Sequence, residues 1–284
     1  MKRKRRSFKP TMESTQARRS KRKTMVGGFY LPDECWECVF KFLNDNHSCM
    51  TSLSVVSKQF LSITNRIRFS LTICCDHSQT LPFPPRLLRR FISLTSLDLS
   101  RFHGNLSKLL GQISSFPLKL TSLNLSNQSI IPTNGLRVFA KKITTLTFLI
   151  CSKVHFIYST DLFLISDCFP LLEDLDLSDP IQCVRYDEVE PLSLALFKLR
   201  KVNLSRHHYI NDRLLFDLFK KREFLEEVIL RDCYRITEVG IVSALRQRPT
   251  LRSLSISNPC TRNLTHITSH FIDSLVSLKG LDLS

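Results

Sequence analysis

"LTSLDLS" (Leu94–Ser100) sets three leucines in the order L-x-x-L-x-L. The last two alternate with polar residues at period two, the spacing that sends a strand's apolar side chains to one face. The pattern recurs as LTSLNLS from Leu120, ITTLTFL from Ile143, LEDLDLS from Leu172, LRKVNLS from Leu199, LEEVILR from Leu225, LRSLSIS from Leu251 and LKGLDLS from Leu278. Their starts lie 26, 23, 29, 27, 26, 26 and 27 residues apart. A weaker copy, RFSLTIC, places Leu71 and Ile73 26 residues ahead of Leu97 and Leu99. One short strand cannot hide its own leucines, but stacked parallel strands with returning helices bury them in a continuous spine. The segments after two copies fit such helices. Asn211 and Asp212 precede Leu214, Leu215 and Leu218, and Thr237 and Glu238 precede Val239, Val242 and Leu245. An α/β solenoid follows, with the strands' outward residues as its recognition face.

That face reads Ser96, Asp98, Ser100; Ser122, Asn124, Ser126; Thr145, Thr147; Asp174, Asp176, Ser178; Lys201, Asn203, Ser205; Glu227, Ile229, Arg231; Ser253, Ser255, Ser257; Gly280, Asp282, Ser284. Most are short and polar. Asp174, Asp176, Lys201 and Arg231 are the expected target-binding residues, joined by Arg185 and Tyr186 from the longest spacing, "DPIQCVRYDEVEPL" (Asp179–Leu192). His207-His208 falls where a strand gives way to a turn, which suggests two solvated imidazoles. The chain stops on LDLS, inside a repeat, so the expectation is a truncated gene model or lost repeats.

Ahead of the repeats, "LPDECWECVFKFL" (Leu31–Leu43) opens with Pro32 and two acids, a good helix start. Trp36, Val39, Phe40 and Leu43 form one row; Leu31, Cys35, Cys38 and Phe42 form a second, so nearly the whole circumference is apolar. Met50–Phe69 adds Leu53, Val56, Phe60 and Ile63 at helical spacing. About 40 residues have too little companion surface to cover such a helix, which predicts a second protein against it. The Cys35-x-x-Cys38 pair has no second Cys/His pair nearby for a zinc site and no strand before it for redox chemistry. These two cysteines are read as small apolar residues.

The formal charge is +16, but residues 1–28 hold 11 Lys or Arg against Glu13 alone, leaving 30 against 24 over the other 256 residues. The excess sits in Lys2-Arg3-Lys4-Arg5-Arg6 and Arg18-Arg19-Ser20-Lys21-Arg22-Lys23, in a segment too polar to fold alone. The two blocks resemble a bipartite nuclear import signal; a basic arm for polyphosphate is the competing reading. No apolar run approaches the ~18 residues of a spanning helix. Ten scattered cysteines without a signal peptide suggest thiols in a reducing compartment. No phosphate loop, HExxH or G-x-S-x-G motif appears, so neither catalysis nor a cofactor or metal is expected.

"LPDECWECVFKFL" followed by "SLSVVSKQFLSITNRI" resembles an F-box, with Leu-Pro-x-Glu, a hydrophobic-Phe pair, a Leu and then Leu-x-x-Val-Ser-Lys. Phe60 stands where many members carry Trp. "LEEVILRDCYRITEVGIVSAL" (Leu225–Leu245) resembles the cysteine-containing class of leucine-rich repeat found behind F-boxes. Cys151 and Cys233 lie eight residues after their repeat starts. Together the motifs resemble the plant F-box/leucine-rich-repeat proteins. Behind the basic tail over 1–28, the resemblance implies an F-box over 29–67 and repeats over 68–284. It also implies a non-catalytic substrate receptor of an SCF (cullin–RING) ubiquitin ligase, in the nucleus or cytoplasm. Leu31, Pro32, Val39, Phe40, Leu43, Leu53, Val56 and Ser57 then contact the adaptor, and through it the cullin. The alternative is a nuclear scaffold that binds protein or nucleic acid without ubiquitin transfer.

Overall fold

The computed structural model describes residues 31–43, 47–74, 85–184, 196–256 and 280–282. The two basic blocks, together with Arg185 and Tyr186, lie outside the described residues.

Among the described residues, nine three-residue strands line up in one parallel sheet: β1 Ser70–Thr72, β2 Ser96–Asp98, β3 Ser122–Asn124, β4 Phe148–Ile150, β6 Asp174–Asp176, β8 Lys201–Asn203, β9 Glu227–Ile229, β10 Ser253–Ser255 and β11 Gly280–Asp282. A second, two-stranded parallel sheet pairs β5 Phe156–Tyr158 with β7 Gln182–Val184. Helices α4 Leu106–Ile113, α5 Thr133–Ala140, α6 Ser159–Cys168, α7 Asp212–Lys221 and α8 Glu238–Gln247 return the chain between strands of the main sheet. The register is one spine of partnered residues, Leu71, Leu97, Leu123, Leu149, Leu175, Val202, Val228 and Leu254. All eight belong to a single apolar core. At about 1.5–3 kcal/mol for each side chain fully withdrawn from water, this spine is the main source of cohesion. The expected α/β leucine-rich-repeat solenoid is the fold.

One copy is reframed. Leu149, not Leu146, partners Leu123 and Leu175, so the third repeat starts at Leu146 rather than Ile143. The uneven spacings of 23 and 29 become 26 and 26. Ile143 is buried as well, at the joint where its N–H donates to the Phe139 carbonyl at the end of α5. Both phases therefore look apolar in sequence. The outward residues of this repeat are Phe148 and Ile150, in place of Thr145 and Thr147. Cys151 takes the spine position held by Leu125 and Leu177, and does not share Cys233's place.

Four repeats leave their strand through the same side-chain-closed turn. The side chains of Asp98, Asn124, Asp176 and Asn203 accept a hydrogen bond from the backbone N–H two residues on, at 2.8–3.2 Å. Three residues further along, Asn127, Asp179 and Arg206 adopt left-handed backbone, with φ from 55° to 64°, as do Lys153 and Asp232 at the same place in their own repeats. The next residue points inward. Gln128 Nε2 donates to the Leu99 carbonyl at 3.0 Å, His207 Nε2 meets the Leu177 carbonyl at 2.7 Å, and Cys233 Sγ donates to the Leu204 carbonyl at 3.3 Å. His207 is thus a fully buried rung, which corrects the solvated imidazole expected there; His208 is exposed and stacks on Tyr234. A carbonyl only accepts, so the His207 proton sits on Nε2. Burial pushes the ring's pKa down to about 4.

Candidate functional site

The N-terminal helices are α1 Asp33–Phe42, α2 His47–Ser54 and α3 Lys58–Ile67. Their core is small: Phe40, Met50, Ile63 and Ile67, with Trp36, Leu53 and Phe60 packed against it. Phe60 joins the other two rings, 4.8 Å from Trp36 and edge-on to Phe40 at 4.9 Å, so an aromatic does suit this position. A polar latch ties α1 to α3. Gln59 Nε2 donates to Asp33 Oδ1 at 2.8 Å, and Arg66 pairs with Glu37 and Asp33. The Gln59 hydrogen bond, aided by Arg66, holds the Asp33 carboxyl below its ordinary value.

The latch occupies one side and the aromatic core another, which leaves Val39, Phe42 and Leu43 of the first helical segment facing solvent with Leu31, Pro32, Cys35 and Cys38. Phe42 is 88% exposed. At the turn from α2 to α3, Val55 is 81% and Val56 63% exposed. Of the residues expected to meet an adaptor, Leu31, Pro32, Val39, Leu43 and Val56 are exposed. Leu53 is half-buried against the domain's own core. One is revised: Phe40 is 1% exposed and acts as the centre of the helical core, because its ring packs on Phe60. Ser57 is exposed like the others, and its hydroxyl also caps α3, accepting from the Phe60 N–H at 3.0 Å. Phe42 and Val55 were not singled out, although Phe42 lay on the second apolar row and Val55 adjoins Val56 in sequence. Among the described residues, no group of three or more His, Cys, Asp or Glu is arranged to hold a metal ion.

Residues 29–72 match the family model of the F-box domain. These three helices are an F-box. The match extends past the three helices through β1, Ser70–Thr72. Among solved structures the chain is similar to the leucine-rich repeat-containing protein LegL7 from Legionella pneumophila. Sequence identity is 14%, 81% of this chain and 79% of that chain are covered, and the TM-score is 0.49.

Behind the F-box, the outward strand residues stand in register rows. One row runs Ser70, Ser96, Ser122, Phe148, Asp174, Lys201, Glu227, Ser253; the next runs Thr72, Asp98, Asn124, Ile150, Asp176, Asn203, Ile229, Ser255. Lys201 Nζ lies 3.0 Å from Glu227 Oε1. Arg231 donates from Nε to Ser255 Oγ at 3.1 Å. Partial burial lifts the Asp174 carboxyl above its ordinary value; Lys201 opposes this, while Asp176 and Glu227 add to it. Asp174, Asp176, Lys201 and Arg231 therefore share one surface, as the period-two reading anticipated. Phe148 is the missed member, and the 23- and 29-residue spacings were the signal that could have found it.

Proposed function

We propose that this chain is the substrate-recognition subunit of an SCF (cullin–RING) ubiquitin ligase. F-box domains bind Skp1-type adaptors and thereby cullin complexes. The observation that carries the reading is the exposure of Leu31, Val39, Phe42, Leu43, Val55 and Val56 on a domain matched as an F-box, whose core among the described residues is a handful of side chains. A second subunit laid over those exposed side chains completes the apolar interior. The repeats then hold a target protein near the charged ubiquitin carrier, raising the effective concentration of its lysines without an active site of their own. The two N-terminal basic blocks are proposed to direct nuclear import.

The test is capture of a Skp1-type adaptor by the full chain and by Val39→Asp/Val56→Asp. Both side chains point to solvent, so the variant keeps its fold. Loss of one interface anchor costs at least about 2 kcal/mol, so adaptor recovery should fall at least about thirtyfold. Equal recovery from the two proteins would transfer the assignment to a leucine-rich-repeat scaffold without ubiquitin transfer.

A further inference from the structure

On strands β1 to β3, both outward rows carry only Ser, Thr, Asp or Asn. The composition then changes abruptly. β4 presents Phe148, 44% exposed, and Ile150; directly beside them, β6 presents Asp174 and Asp176. Neighbouring strands are about 4.8 Å apart, so the four form one two-by-two block with an apolar column against an acidic one.

Neither acid is required as an acid by the fold. Asp176 closes its turn by accepting the Ser178 N–H, and Asn124 and Asn203 do the same in other repeats. At the Asp174 position, four other repeats use serine. Among the described residues, Asp174, Asp176 and Glu227 face one ammonium, Lys201, which Glu227 holds at 3.0 Å. A planar cation satisfies all of this at once. A guanidinium stacks on an aromatic face while its N–H fork meets paired carboxylates, whereas an ammonium is a point charge that does neither as well.

We propose that Phe148, Ile150, Asp174 and Asp176 form the site where a target protein's arginine is bound, its guanidinium over the Phe148 ring and paired with the two carboxylates. Ile150 receives an apolar neighbour of that arginine. The proposal rests on the reading that the repeats select a target, and it names the chemistry they select.

The probe is a capped, labelled peptide alternating arginine with leucine, compared with its citrulline and lysine counterparts by fluorescence anisotropy on the full chain at physiological salt. Citrulline keeps the shape and removes the charge. The arginine peptide should bind saturably, with the other two about tenfold weaker or more. Asp174→Asn/Asp176→Asn, which preserves the turn hydrogen bond, should cost about tenfold or more, and Phe148→Leu, which keeps the strand's apolar contact, about three- to tenfold. Equal binding of the citrulline or lysine peptide, or unchanged binding by the Asn variant, overturns the assignment. So does a tenfold gain when Lys2-Arg3-Lys4-Arg5-Arg6 is replaced by glutamine, since the occupant would then be the chain's own N-terminus. Adaptor capture is read separately. Its loss in Val39→Asp/Val56→Asp with peptide binding intact supports both proposals, and its persistence there sinks the ligase reading alone.

Discussion

His207 links a single ring to the pH range of the whole fold. Its Nε2–H donates to the Leu177 carbonyl in a site that excludes water, and burial outweighs that hydrogen bond in setting its pKa. His208 acts in the same direction as burial, and Asp176 acts against it. The folded value of about 4 lies below the ordinary 6.5. The unfolded chain therefore takes up a proton first as pH falls, and the contribution of the neutral ring is complete above about pH 6.5 and lost between there and pH 4. By pH 5 urea unfolding should show about 2 kcal/mol less stability than at pH 7.5 from this residue. His207→Gln should remove that component, since Gln128 makes the equivalent bond to Leu99 in another repeat. The cysteines divide by the same physics. Burial, with Asp176 and Asp161 nearby, raises the Cys151 thiol far above its usual range. Cys151 and Cys233 should resist maleimide until the protein unfolds, while exposed Cys35 and Cys38 are labelled in the native state; rapid native labelling of Cys151 would contradict its place in the spine.

Among the helices, two glycines make a controlled pair. A Cβ on Gly135 in α5 would lie 2.6 Å from Ser107 Cα, backbone that cannot move aside, because α4 and α5 approach closely there. A Cβ on Gly111 in α4 would meet nothing nearer than Val138 Cγ1 at 4.0 Å. Gly111→Ala should then stabilise by up to about 1 kcal/mol through helix propensity, and Gly135→Ala should destabilise by about 1–3 kcal/mol. Thermal melts of the two variants give opposite signs if the packing is as described. In the F-box, Phe40→Ala should cost about 3–5 kcal/mol of local stability, against less than about 0.5 for Val39→Asp, as followed by Trp36 fluorescence. Helix and strand identities were legible because their apolar periods differ and because Asn211 and Thr237 cap helices where such residues are expected. Two placements were not. "ITTLTFLIC" offers apolar residues in two phases, and only pairing with β3 and β6 selects one. The F-box helix is apolar nearly all round, so sequence alone does not tell Phe40, turned inward, from Phe42, turned out.

Across the whole molecule, each repeat touches its neighbours and little else, so damage should stay local. Leu175→Ala, in the middle of the spine, should cost about 2–5 kcal/mol. Amide exchange should quicken most in β4, β6 and β8, with the F-box helices least affected; uniform loss of protection over the chain would instead mean one cooperative unit. The recognition face was legible at this scale as a set of positions, but its chemistry was not. A two-residue period says which side chains face outward; which of them stand side by side is decided by pairing between segments far apart in sequence.

Between the end of α3 at Ile67 and the start of β1 at Ser70 stand only Arg68 and Phe69, and Arg68 lies over the Phe91 ring, 5.4 Å from its centroid. So short a joint works as a bracket, not a tether. With an adaptor on the helices and a target on the strands, the reach and angle at which lysines meet the ubiquitin carrier would be set by the joint's stiffness. On the proposed ligase reading, lengthening it with a few glycines and serines would leave adaptor capture intact yet spread modification of a target over sites that the native spacing would keep out of range.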